Sequence, residues 1–171
     1  MSSKDQNLSA GSKEKLKSVE DFSFAIIVSE WNDEITFSLR DACIATLEEN
    51  GAKTENIHIH YVPGAFELPL GARIIMGQTK VDAAICLGCV IKGETDHDKY
   101  ISNAVASGIM NLGLTSKKPV IFGLLTPNTK EQALDRAGGK YGNKGIEAAT
   151  SAIKMVHLKH PDHISKKKIG F

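Results

Sequence analysis

Cysteine is scarce in this chain of 171 residues: there are three, an odd number that forms no disulfide framework. That excludes a small secreted domain stapled by bridges and favours a reducing, cytoplasmic setting. Neither acidic nor basic residues predominate. The formal net charge is +1, so no bulk field draws the chain to nucleic acid or to an anionic membrane. No apolar run approaches the roughly 20 residues that a membrane helix needs. The opening MSSKDQNLSAGSKEKLKS lacks the apolar core of a secretory signal. Internal repeats and linkers are absent too, which argues for one domain. Residues 1–20 read as a flexible polar arm, residues 21–160 as the folded domain, and residues 161–171 as a basic tail.

What is present is an alternation. FAIIVS (24–29) is a continuous apolar run, the mark of a strand buried on both faces. Asn32 and Asp33 are good helix starters, and Ile35, Leu39, Ala42, Cys43 and Thr46 fall on one helical face that ends near Gly51. IHIHYV (57–62) is a second strand, closed by Pro63 and Gly64, and a short helix over 66–77 ends at Gly77. AAICLG (83–88) and PVIFGLLT (119–126) are the third and fourth strands, with a helix at about 98–114 between them. Helices near 129–137 and 145–159 close the chain. This order predicts an α/β fold: a four-stranded parallel sheet with right-handed crossovers, sandwiched between helices in three layers. Ligands in such folds bind beyond the carboxyl ends of the strands.

The unusual residues cluster there. GCVIKGET (88–95) nearly spells a phosphate loop, G-x-x-x-x-G-K-[ST], but Glu94 stands where the lysine belongs. A triphosphate and its magnesium need that cation. The loop amides can still meet one small phosphate, with cations supplied by residues such as Arg136 and Lys144. The bland alternative is a loop whose glycines serve tight turns. His97 follows the loop and can move protons near neutral pH, although a lone histidine near a helix start is often structural. Trp31, the one tryptophan, could stack on a flat ring or simply pack at an interface. Phe66 beside Glu67 offers a second aromatic with a carboxylate, or merely an acid at a helix start. Cys86 and Cys89 form a C-x-x-C, but within an apolar run, where a redox pair is disfavoured. His58 and His60 read as packing or surface residues, and His157, His160 and His163 as solvated.

VPGAFELP (62–69), GCVIKGETDH (88–97), PVIFGLLT (119–126) and RAGGKYGNKG (136–145), in this order and spacing, resemble the lumazine synthase family. The resemblance spans all but the arm and the tail. It implies a flavodoxin-like sandwich and a transferase of riboflavin biosynthesis. That enzyme condenses 5-amino-6-(D-ribitylamino)uracil with 3,4-dihydroxy-2-butanone 4-phosphate to give 6,7-dimethyl-8-ribityllumazine, without cofactor or metal. By position, Trp31 matches the aromatic that stacks on the pyrimidine. Phe66 and Glu67 match the groups that hold the ring and the ribityl hydroxyls, with Asn32, Gly64, Ala65 and Cys89 in the same substrate site. Val90 and Ile91 match main-chain contacts to the pyrimidine, and Glu94 and Thr95 the amides that bind phosphate. His97 matches the proton-transfer residue, and Arg136 and Lys144 the cations. Phe122, Arg136 and Lys144 are expected from a neighbouring subunit.

Two further expectations follow from the resemblance. Family members form homopentamers, and the short GGKYGNKG segment (138–145) is of the length found in members that build an icosahedral 60-mer capsid. Riboflavin synthase is a candidate protein partner, and neither nucleic acid nor membrane is expected. The chain departs from the family after His97, where an aromatic and then an acid are usual and Asp98-Lys99 stands instead. Competing readings are a flavin-binding or cage protein that has lost catalysis, a flavodoxin-like electron carrier and a P-loop phosphotransferase.

Overall fold

A computed structural model describes residues 16–161. The order is β1 (Phe24–Ser29), α1 (Asp33–Glu49), β2 (Ile57–Val62), α2 (Leu68–Gln78), β3 (Ala83–Cys89), α3 (His97–Ser116), β4 (Val120–Leu125), α4 (Lys130–Leu134), β5 (Ala137–Gly139), β6 (Gly142–Asn143) and α5 (Lys144–Lys159). Single 3-10 turns precede β2 and α2. The main sheet is parallel, ordered β2-β1-β3-β4, and β5 and β6 form a small antiparallel ladder.

The sheet is the middle of three layers. Along β1, Phe24, Ile26 and Val28 point to one face and Ala25 and Ile27 to the other, as a two-residue period requires. The first face packs on α1 and α5, through Ile35, Leu39, Cys43, Ala149 and Ile153. The second packs on α2 and α3, through Leu68, Ala72, Val105 and Ile109. Both central strands are buried throughout. Each large apolar side chain so buried contributes about 1.5–3 kcal/mol. The α1–α5 contact is close enough to demand glycine: a Cβ on Gly145 would lie 1.9 Å from the Leu39 carbonyl oxygen. Asn143 caps α5 there, its Oδ1 accepting from the Gly145 amide at 2.8 Å.

Several expectations need correction. Helix α2 does not stop at Gly77 but runs through it to Gln78. The expected helix over 129–137 is only Lys130–Leu134, because the chain then turns into the β5–β6 ladder. The expected arm is shorter on its inner side. Val19 is buried and its amide donates to the Asn50 carbonyl at 2.9 Å. Residues 1–15 of the arm and 162–171 of the tail, with His163, lie outside the described residues. His157 and His160 are not simply solvated: the Phe22 ring packs edge-on against His157 and tilts against His160. His157 Nε2 also meets the Ser18 carbonyl at 3.1 Å.

Candidate functional site

The chain passes from β1 to one side of the sheet, forming β2, and then crosses to the other side to form β3. The crevice beyond the carboxyl ends of β1 and β3 is therefore the topological switch point. A cleft of about 560 Å³ opens there. Main-chain bonds beyond the strands hold its walls together. Glu30 and Trp31 donate to the carbonyls of Val62 and Pro63 at 2.8 and 3.1 Å, joining the β1 and β2 ends. Asn32 Nδ2 donates to the Cys89 carbonyl at 2.9 Å, joining β1 to β3. Val90 and Lys92 donate to Leu125 and Pro127 at 2.8 and 3.0 Å. Backbone groups alternate between the two edges of an extended segment, so the Ile91 amide faces the β1 side.

Asn32 sits at the start of α1 as expected, but it does not cap the helix with its side chain. Its backbone is left-handed (φ 63°, ψ 45°), a region asparagine tolerates better than most residues. That bend presents Trp31 at the rim, where it is 73% exposed. Phe66, 57% exposed, stands on the 3-10 turn after β2. The cleft brings together Trp31, Asn32, Gly64, Ala65, Phe66, Glu67, Cys89, Val90, Ile91, Thr95 and His97 of the sequence-predicted residues. Glu94 does not line it and is exposed to solvent. Gly93 of the expected anion loop lines it as well, with Pro63, Asp98 and Ile101, to which the sequence had assigned no role in the site. Ile101 follows Asp98 by three residues, the one-turn spacing of a helix face.

Phe122, Arg136 and Lys144 do not line this cleft. Phe122 borders a separate groove of about 590 Å³, walled by Met110, Leu114, Met155 and Leu158 of α3 and α5. The Arg136 guanidinium lies over the Tyr141 ring at 4.7 Å and donates through Nη1 to the Gln132 carbonyl at 3.0 Å. Lys144 pairs with Glu147 one turn along α5.

The P-loop likeness dissolves in the geometry. Gly88 lies inside β3, where a Cβ would come within 2.8 Å of Leu124 and 2.9 Å of Leu68, so it serves packing. The helix begins only at His97, after Glu94, Thr95 and Asp96. The cleft cysteine is no nucleophile: burial pushes the Cys89 thiol up to about 12. What the cleft can do is stack a flat ring, accept hydroxyls at Glu67, meet an anion at the N-terminal end of α3, and transfer a proton at His97.

The family model for 6,7-dimethyl-8-ribityllumazine synthase matches residues 21–160. Curated relatives carry the same name. The protein of Cytophaga hutchinsonii is 52% identical over 156 residues, covering 91% of this chain and 98% of the relative. That of Bacteroides fragilis is 53% identical over 133 residues, 78% of this chain and 93% of the relative. That of Flavobacterium psychrophilum is 45% identical over 159 residues, 93% and 84% respectively.

Proposed function

The chain belongs to the 6,7-dimethyl-8-ribityllumazine synthase family, and we propose that its cleft carries out the reaction of that name. As a transferase it condenses 5-amino-6-(D-ribitylamino)uracil with 3,4-dihydroxy-2-butanone 4-phosphate, releasing phosphate and water. The observation that carries this reading is the convergence of Trp31, Phe66, Glu67, Thr95 and His97 on one cleft at the switch point.

The residues divide the work. Trp31 stacks on the pyrimidine, which the main chain of Gly64–Phe66 and of Val90–Ile91 holds by its edges. Glu67 accepts ribityl hydroxyls. The amides of Glu94 and Thr95, at the positive end of α3, hold the phosphate, while the exposed Glu94 carboxylate stays in solvent. The 5-amine attacks the ketone, and His97 transfers the protons that turn the adduct into an imine with loss of water. Phosphate then leaves, and the ribityl-bearing nitrogen closes the second ring with loss of another water. Holding two reactants together is a large share of such catalysis.

Phe122, Arg136 and Lys144 complete the site from a neighbouring subunit of a homopentamer. The apolar groove beside Phe122 and the exposed Leu70, Ile74, Met110 and Leu114 support association of this kind. The tight β5–β6 turn supports the larger 60-mer shell, and a sedimentation mass near that of a pentamer would refute it. The cytoplasm is the compartment of this reading, supported by three free, buried thiols. Among the described residues no helix is long and apolar enough to cross a membrane. Riboflavin synthase, which takes up the lumazine, is the partner protein it implies.

The test mixes purified protein with both reactants, without metal or nucleotide, and follows lumazine fluorescence. Rapid product formation that is lost in His97→Ala and Arg136→Ala supports the reading. Product at the uncatalysed rate in the wild type overturns it in favour of a flavin-binding or cage protein.

A further inference from the structure

Asp98 is the one charged residue of the cleft that these roles leave unused. It lines the cleft from the first turn of α3. Its Oδ1 is closed to solvent and meets no hydrogen-bond donor among the described residues, while Oδ2 is not so enclosed. A carboxylate has only acceptor sites, and one partly withdrawn from water without a donor is relieved by a donor, which a ligand in the cleft can bring only to Oδ2, since Oδ1 is closed even to water. The nearby groups do not supply it. His97 projects about 100° away around the helix, and the Asn32 amide is committed to Cys89.

The fold indicates which donor does. Ile101 lies one turn from Asp98 on the same face of α3. It packs against the core cluster that contains Ala65 and Leu68. Asp98 and Glu67 line the same cleft, and α3 packs directly on the turn that carries Glu67. Two acceptor-only groups share this wall. Such a wall repels an anion and suits a neutral chain bearing several O–H donors, whose hydrogen bonds to carboxylates are charge-assisted.

We propose that Asp98 determines specificity for the polyol-bearing reactant. Together with Glu67 it accepts hydroxyl hydrogens of the ribityl chain, and it directs the phosphate-bearing reactant to the Gly93–Thr95 side. The proposal rests on the reaction assigned above.

Steady-state kinetics of the full-length protein test it with the near-isosteric Asp98→Asn and with Asp98→Ala. The expected result is a KM for the ribitylamino pyrimidine raised about tenfold in Asp98→Ala and less in Asp98→Asn, as loss of a hydrogen bond to a charged group implies. The KM for the butanone phosphate stays within about twofold, and so does the Ki of a methylamino pyrimidine that lacks the hydroxyls. Equal losses for both reactants, an equal loss for the methylamino compound, or unchanged KM values overturn the proposal. So does a changed sedimentation profile with unchanged KM, because the donor would then be a neighbouring subunit. Absence of turnover in the wild type removes the assigned reaction and this proposal with it, whereas wild-type turnover with a uniform loss in the variants removes the proposal alone.

Discussion

Cys86 and Cys89 stand three residues apart on β3 with their side chains in opposite core layers, Cys86 in the cluster that holds Leu68 and Val105, Cys89 in the one that holds Ile35 and Leu125. An odd separation on a strand puts two side chains on opposite faces of the sheet, so the C-x-x-C cannot close into a disulfide. Burial pushes both thiols up to about 12, and Cys43 higher still. A folded-state value raised above the unfolded one gives stability that is intact below about pH 9 and falls as pH rises toward 12. The loss reaches at most about 1.4 kcal/mol per pH unit for each thiol. Thermal melts between pH 8 and 11 check this, together with thiol labelling, which should be negligible in the native protein and complete after unfolding.

Gly145 and Gly77 make a matched pair of substitutions. At Gly145 the added methyl would meet the Leu39 backbone, whereas at Gly77 nothing lies within 4 Å. Gly145→Ala should cost about 3 kcal/mol or more, as overpacking against backbone does. Gly77→Ala should gain up to about 1 kcal/mol from helix propensity. Melting temperatures at one fixed protein concentration compare them, since association also contributes to apparent stability.

Trp31 is the only tryptophan and lies at the rim of the cleft, so its emission reports on the cleft alone. Titration with the pyrimidine reactant or with riboflavin should quench it. Unchanged emission would remove the stacking role. Trp31→Ala should weaken pyrimidine binding by about 1–3 kcal/mol, the usual worth of stacking a base on an aromatic ring.

His97 lines the cleft and Arg136 does not, so a site needing both has to draw them from two chains. His97→Ala and Arg136→Ala should each be nearly inactive. Dissociated and reassembled together in equal amounts, they should recover about one quarter of wild-type activity, because in a ring with head-to-tail interfaces that fraction of junctions pairs an intact His97 with an intact Arg136. No recovery in a correctly sized assembly would mean that no site shared between two chains uses both residues.

The sheet was legible because its strands are apolar or alternating runs bounded by turn residues; β1 and β2 fall within the expected limits. The β5–β6 ladder was not, since AGG and GN carry neither alternation nor β-branched residues. The cleft was legible where residues follow strands, as Trp31 and Phe66 do. Asp98 stood out as a departure from the family, but one residue in the first turn of a helix has no periodicity to place it in the cleft. His157 was misjudged because the lysines around it suggest solvent, and only the tertiary fold brings Phe22 to it.

The left-handed backbone of Asn32 separates two things that a sequence change usually alters together. The direction in which residue 31 projects is set by its neighbour, and the ring it offers is set by its own identity. Exchanging tryptophan for a smaller aromatic therefore changes grip without changing aim. A substitution at Asn32 does the reverse, leaving the indole in the chain but pointing it elsewhere. Ligand preference can drift at one letter while the architecture of the mouth is kept by the next.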